Sequence, residues 1–233
     1  SENHYTTAYE LALLTDYALQ NETFLKIVGT KYYTVNINGY PKNLTNTNEL
    51  LGNLNGVYGV KTGFTNGANR CLVSSCKRDD LDIITVIIGA NTTKQRTADT
   101  IKLIQYAYKN FEVINIKEII NKKFEQWQAI NQGRIYVNKG IRNHVELYLE
   151  EIKYENMAVR KEDVDKIEIE VNCIFYLEAP VDKKQIIGNL KVNLNYEEME
   201  NLDIYANEEI RKKNILDYMF EFMDILINEQ KLL

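Results

Sequence analysis

A lysine, a threonine and a glycine stand in consecutive positions at Lys61-Thr62-Gly63, after a short apolar run that is typical of a β-strand. This Lys-Thr-Gly triplet offers a positive charge, a hydroxyl group and a backbone without a side chain. Gly56 and Gly59 precede it, so the residue types match those of a phosphate-binding loop. However, a valine separates Gly59 from Lys61, and a strand rather than a helix surrounds the lysine. We therefore exclude nucleotide binding.

The strands around the triplet predict an antiparallel sheet. Two further strand-like runs follow at 71–76 and 81–90, and the polar residues at 78–80 favour a tight hairpin between them. Alternation predicts another strand at 32–37, which an Asn-Gly turn ends. The segment 41–55, rich in Asn, Thr and Leu, is interpreted as a loop or short helical turn that leads into the triplet's strand.

Two helices are predicted beside this sheet. Thr7 and Glu10 form a capping-box pattern, and the apolar residues that follow at helical spacing predict a buried helix. A second helix is predicted to begin at Asn91 or Thr92. Its apolar residues repeat at intervals of three and four, so we expect it to cover one face of the sheet.

The pattern changes after residue 112 to short alternating segments between polar turns, which predicts a small all-β sandwich. Trp127, the only tryptophan, is interpreted as a core or hairpin aromatic residue. The chain is predicted to divide into an α/β domain at 1–112, the sandwich at 113–206 and an amphipathic helix at 207–233. That helix carries an apolar stripe and an acidic centre.

The composition excludes several classes of function. A net charge of -5 at pH 7 argues against nucleic-acid binding, because phosphate binding needs a concentrated basic face. The three cysteines, Cys71, Cys76 and Cys173, do not make a disulfide framework. No Cys/His cluster has the spacing of metal ligands, so no metal site is expected.

Lys-Thr-Gly on the edge of a sheet is one of three signatures of the penicillin-binding serine acyltransferases. Together with the segments 4–15 and 89–96, it makes the chain resemble the second half of a D-alanyl-D-alanine carboxypeptidase, a low-molecular-mass penicillin-binding protein. The resemblance covers about 2–112 and continues more weakly to about residue 205, through 177–188. It implies part of a transpeptidase/β-lactamase-like domain, an antiparallel sheet with helices, before the β-sandwich and the C-terminal helix.

The resemblance assigns roles to five residues. It implies that the Lys61 ammonium assists proton transfer and, with the Thr62 hydroxyl, faces the terminal carboxylate of the substrate. Gly63 would admit the substrate backbone, and the backbone N–H of Phe64 would supply one oxyanion-hole donor. Arg96 would bind the carboxylate, a task that a guanidinium suits because it can form two parallel hydrogen bonds.

The nucleophile of this family, a Ser-x-x-Lys at the start of a helix, has no convincing counterpart here. Ser74 and Lys77 have the spacing, but they follow the triplet and lie in a predicted strand, where residues three apart point to opposite faces. Ser1-Glu2-Asn3 matches the family's Ser-x-Asn only formally, at the very start of the sequence. We therefore predict that this chain is a C-terminal piece, inactive alone.

The function that the resemblance implies is trimming of peptidoglycan stem peptides that end in D-Ala-D-Ala, through an acyl-serine and without a cofactor. The protein would also react with β-lactams and act outside the cytoplasmic membrane. Further expected partners are a missing N-terminal half or a second copy, and a membrane surface or partner helix for the residues 207–233, which could also pack on the β domain. The alternatives are a non-catalytic wall-associated or scaffolding protein and a β-lactamase, which the trailing β domain disfavours.

Overall fold

A computed structural model describes residues 4–131 and 133–229, and Ser1-Glu2-Asn3 lies outside the described residues. Contacts between Cα atoms divide the chain into two compact units, Ser1–Val113 and Ile114–Leu233. The finer division at residue 206 stays a prediction.

From residue 4 onward, unit 1 contains three helices and five strands, followed by a strand at the boundary. In chain order they are α1 (Ala8–Leu19), α2 (Glu22–Val28), β1 (Tyr32–Ile37), β2 (Tyr40–Thr45), β3 (Val57–Thr65), β4 (Asn69–Arg78), β5 (Leu81–Ala90), α3 (Thr93–Asn110) and the boundary strand β6 (Phe111–Asn115).

The predicted antiparallel sheet is confirmed, with the strand order β3-β4-β5. A two-residue turn joins β4 to β5, and Asp79 takes a positive φ of 50° in it. Helix α3 begins after its N-cap Thr92 and packs on β4 and β5, as predicted. The core between them contains Leu72 and Ile104, which are fully buried.

Two predictions for unit 1 are wrong in part. Helix α1 has the predicted capping box, but Thr15 is its only buried residue, and Leu13 and Leu14 are exposed. Its apolar spacing predicts which faces of the helix could be buried, whereas in the described chain α1 contacts β5, α2 and β4 and leaves these leucines exposed. The segment 41–55 is not all loop, because β2 pairs with β1 across the predicted Asn-Gly turn.

Unit 2 contains two helices and seven strands among its described residues. They are α4 (Ile116–Asn131), β7 (Tyr136–Asn138), β8 (Leu147–Leu149), β9 (Asn156–Arg160), β10 (Ile167–Cys173), β11 (Tyr176–Glu178), β12 (Ile186–Leu194), β13 (Glu197–Ala206) and α5 (Ile215–Glu229), with a 3-10 helix at Lys161–Lys166.

The β domain of unit 2 is built on an antiparallel sheet with the order β10-β12-β13-β8, and β11 pairs in parallel with β7. Helix α4 was not predicted, although Ile116, Ile120 and Phe124 are buried at intervals of four. Trp127 is half-buried and stacks on Phe124 with 6.3 Å between ring centroids, so the prediction of a core aromatic is confirmed. The chain therefore has the predicted fold class: an α/β part, a β domain and a C-terminal helix.

Helix α5 leaves most of its apolar side chains exposed, including Ile215, Met219 and Phe222. The interpretation that it packs on the chain's own β domain is therefore wrong for the described residues. Its basic neighbours form ion pairs with its acidic residues: Arg211 with Asp217, and Lys213 with Glu221. Among the described residues, no helix is both long and apolar enough to span a membrane.

The start of α5 is expected to respond to acid. The Arg211 guanidinium donates two hydrogen bonds to Asp217, and with the backbone N–H of Asn214 it lowers the pKa of that carboxyl from 3.8 to about 2. Because the pKa is lower in the folded state, the stabilisation is complete above the ordinary value and is lost as the pH falls toward about 2.

The amide chemical shifts of Asn214 and Asp217, followed by NMR as the pH is lowered from about 5 to about 2, will measure this titration. We expect Arg211→Gln to move the transition upward, toward the ordinary range of an aspartate. A transition at the same pH in both proteins would contradict the role of Arg211.

Candidate functional site

The Lys-Thr-Gly triplet lies in β3, the end strand of the three-stranded sheet. Its residues face Val73, Leu72 and Cys71 of β4 in antiparallel register. The side chain of Lys61 is exposed and that of Thr62 is half-buried, while Gly63 and Phe64 are exposed. The four predicted site residues of this strand are therefore accessible from solvent or partly so.

The polar groups of Lys61 and Thr62 already have partners. The Lys61 ammonium donates a hydrogen bond of 2.6 Å to the backbone carbonyl of Thr62, so it lies along the strand. The Thr62 hydroxyl shares a hydrogen bond of 2.6 Å with the hydroxyl of Thr47. A ligand that binds these groups must replace or share these contacts.

Residues 46–49, which follow β2, form a bridge between the triplet and helix α3. Two asparagines hold this bridge in place. The Asn46 amide donates to the carbonyls of Val28 and Thr30, and the buried Asn48 amide donates to the carbonyl of Gly59 at 2.7 Å. The bridge is therefore anchored on both sides of Thr47.

The next residue of the bridge, Glu49, contacts Arg96 in the first turn of α3. Arg96 Nη2 lies 3.3 Å from Glu49 Oε1, and the Thr97 hydroxyl also donates to this oxygen. The Arg96 side chain is only 7% exposed, and its Nε finds no hydrogen-bond partner among the described residues. The bridge thus connects the triplet with the fifth predicted site residue.

Sequence reasoning missed the bridge because it interpreted 41–55 as a connection. The available signal was the pair of asparagines two residues apart, since Asn side chains often bond to nearby backbone and stabilise turns. That Thr47 meets Thr62 and Glu49 meets Arg96 could not be inferred from this spacing.

Gly63 is not required by the packing of the protein itself. A Cβ built at this position would lie 3.7 Å from the Cβ of Cys71, which is an ordinary contact distance. Next to Gly63, the Arg70 guanidinium lies over the Phe64 ring, 4.6 Å from its centre. The missing side chain at Gly63 therefore leaves space that a ligand can use.

Ser74 and Lys77 do not form a nucleophile pair. Both lie in β4, where Ser74 is fully buried and donates a hydrogen bond of 3.2 Å to the carbonyl of Gly59. Lys77 is exposed. Because residues three apart on a strand point to opposite faces, the lysine cannot activate this serine. Among the described residues, no group of three or more His, Cys, Asp or Glu side chains could hold a metal ion.

Two protein families match successive parts of the chain. Residues 1–92 match the D-alanyl-D-alanine carboxypeptidase family, and residues 124–212 match the C-terminal domain of penicillin-binding protein 5. These two matches carry the same order of domains that the sequence predicted.

Curated relatives match nearly the whole chain. The D-alanyl-D-alanine carboxypeptidase DacF of Bacillus subtilis is 28% identical over 219 residues, which are 94% of this chain and 54% of the relative. DacA of Haemophilus influenzae is 25% identical over 97% of this chain and 54% of its own length. The chain therefore spans about half the length of these relatives.

Solved structures show the same fold. Penicillin-binding protein 5 from Haemophilus influenzae matches with a TM-score of 0.61 and 23% identity over 91% of this chain and 58% of the solved chain. The carboxypeptidase DacD from Francisella tularensis gives a TM-score of 0.61 and 20% identity over 91% of this chain and 62% of its own.

Proposed function

Because the chain matches a C-terminal portion of the D-alanyl-D-alanine carboxypeptidases, the low-molecular-mass penicillin-binding proteins, we propose that it is part of a serine-type carboxypeptidase. Its substrate is the peptidoglycan stem peptide that ends in D-Ala-D-Ala. The observation that carries this proposal is the Lys-Thr-Gly triplet on an end strand, joined through residues 46–49 to Arg96.

The proposed reaction passes through an acyl-enzyme. A serine encoded outside this sequence attacks the carbonyl carbon of the next-to-last D-alanine, and the peptide bond breaks as the terminal D-alanine takes up a proton and leaves. Water then hydrolyses the acyl-serine ester. β-Lactams would acylate the same serine.

The residues of this chain would bind and orient the peptide. Lys61 would leave the Thr62 carbonyl, to which it donates here, and present its charge to the site. The Thr62 hydroxyl would bind the terminal carboxylate, with Arg96 as the second binding group. The space at Gly63 would admit the peptide backbone, and the N–H of Phe64 would donate to the oxyanion.

A penicillin-labelling experiment tests this function. We expect a fluorescent penicillin to label a polypeptide that extends this chain at its N-terminus by the preceding reading frame, hereafter the extended protein. We expect no label on the 233-residue chain alone, because Ser74 is fully buried.

Ser74→Ala serves as the control. A labelled band from the 233-residue chain that disappears in this variant would overturn the assignment of the nucleophile to another part of the protein. Absence of label on the extended protein would contradict the carboxypeptidase itself.

A non-catalytic wall-associated or scaffolding protein is the second candidate. Ser74 is fully buried in a strand, and the described residues contain no Ser-x-x-Lys on a helix. The described residues therefore offer no nucleophile of the family's kind, which favours this candidate. The two candidates differ in the preceding reading frame, which should encode Ser-x-x-Lys on a predicted helix for the enzyme and a start codon near Ser1 for the scaffold.

The substrate places the proposed activity outside the cytoplasmic membrane, at the cell wall. A missing N-terminal half or a second copy would cover the exposed residues of α1, Leu13 and Leu14. The exposed apolar side chains of α5 would meet a membrane surface or a partner helix. The basic residues that precede this helix, Arg211 and Lys213, are paired with its carboxylates, which weakens attraction to anionic lipid.

A further inference from the structure

A carboxylate of the chain itself covers the arginine of the candidate site. The Arg96 side chain is 7% exposed, whereas that of its partner Glu49 is 46% exposed. Glu49 is therefore the solvent-accessible member of this ion pair. The Thr97 hydroxyl donates to the same carboxylate oxygen, so one carboxylate collects donors from two neighbouring residues of α3.

This contact has an electrostatic reason. A buried guanidinium is unfavourable without a compensating negative charge, and removal of the partner of a buried charge is strongly destabilising. Glu49 supplies that charge in the absence of a ligand. The Arg96 Nε–H remains buried without a partner among the described residues, so the guanidinium can donate more hydrogen bonds than it does here.

We propose that Glu49 is a resident carboxylate that occupies the anion subsite of Arg96 and Thr97 until the carboxylate of a peptide displaces it. This inference rests on the proposed function, in which Arg96 binds a terminal carboxylate. It makes Glu49 a specificity-determining residue: a ligand must compete with an internal carboxylate, so weakly bound anions are rejected.

The surrounding structure permits such an exchange. The amides of Asn46 and Asn48 anchor the bridge to the backbone of Val28, Thr30 and Gly59, independently of Glu49. The Glu49 side chain can therefore swing into solvent while the bridge stays in place. The hydrogen bond between Thr47 and Thr62 does not involve Glu49, so movement of the Glu49 side chain does not itself break the connection between the bridge and the triplet.

The test is chemical rescue of a variant that lacks the resident carboxylate. In Glu49→Ala, acetate or N-acetyl-D-alanine should fill the vacated place. We expect these carboxylates to raise the Tm of the variant and to shift its Thr97 amide resonance. These carboxylates should bind the variant at least about tenfold more tightly than they bind the unchanged chain, because a tenfold change in affinity corresponds to the free energy of about one charge-assisted hydrogen bond. Chloride at equal ionic strength controls for screening.

Asp99→Ala is the matched control, because Asp99 lies on the same helix in an exposed ion pair with Lys102. This variant should gain no carboxylate affinity. If Glu49→Ala does not fold, the isosteric Glu49→Gln takes its place, and a smaller gain in carboxylate affinity is expected, because the charge is removed while the neutral amide still fills the place. Equal carboxylate affinity in the unchanged chain and the Glu49 variant would overturn the proposal.

The double variant Glu49→Ala/Arg96→Gln separates this site from others. Loss of the rescue supports Arg96 as the binding group, whereas unchanged rescue places the anion elsewhere and refutes the proposal. The probes need no nucleophile and are applied to the 233-residue chain. Failure of penicillin labelling in the extended protein would therefore contradict the proposed function without deciding the role of Glu49.

Discussion

Lys61→Ala in the extended protein is expected to slow acylation by a fluorescent penicillin by about 10²–10⁴-fold, the range of a lost acid–base group. The ammonium is exposed on an end strand, and its bond within the described chain is to the neighbouring carbonyl of Thr62. Among the residues that the structure describes, the ammonium forms no ion pair that would stabilise the fold. The rate should therefore fall without a loss of stability, which time-resolved labelling and thermal unfolding measure together.

Two variants sharpen this prediction. Lys42→Ala removes an exposed lysine from β2 and should acylate at the unchanged rate. Gly63→Ala should keep its Tm, because the added Cβ meets only Cys71 at 3.7 Å, but should acylate more slowly because that Cβ enters the space left for the substrate. Acylation of Lys61→Ala at the rate of Lys42→Ala would refute the role of Lys61.

Gly188→Ala is expected to destabilise unit 2 by about 3 kcal/mol or more, the upper range for overpacking a filled site. Gly188 lies in β12, opposite Cys173 of β10. A Cβ at this position would lie 2.1 Å from the carbonyl oxygen of Asn172 and 2.8 Å from the Cα of Cys173. Both are backbone atoms, so the two strands must separate to accept the methyl group.

Urea unfolding followed by Trp127 fluorescence will measure this loss, because the only tryptophan packs in the core of unit 2. Asn189→Ala is the control on the same strand. Its side chain bonds to the exposed Asn201, so we expect a change within about 0.5 kcal/mol. If Gly188→Ala and Asn189→Ala unfold at similar urea concentrations, the strands near Gly188 can accommodate a side chain and this prediction is wrong.

Local features of the fold were predictable from the sequence. The capping box of Thr7 and Glu10, the N-cap at Thr92 and the Asn-Gly turn between β1 and β2 lie where the residue types indicated. Each depends on hydrogen bonds or backbone preferences within a few residues, so the local sequence contains the cause. The strand that carries the triplet was predictable for the same reason.

Other features depend on residues far apart in the chain. Strand β2 was interpreted as part of a connection because its residues are polar and exposed, and only pairing with β1 makes it a strand. Helix α1 was predicted to be buried, but apolar periodicity does not say what covers each face. Helix α4 was overlooked among the alternating segments of the β domain.

The amino-acid sequence by itself determined the family resemblance, the order of the domains and the residues of the Lys-Thr-Gly strand. The tertiary structure decided that Glu49 covers Arg96 and that Ser74 is buried. Glu49 and Arg96 are far apart in sequence, and the fold brings the turn that carries Glu49 within hydrogen-bonding distance of the helix that carries Arg96. Charge pairing across such a separation is a property of the fold, which no local pattern of residues contains.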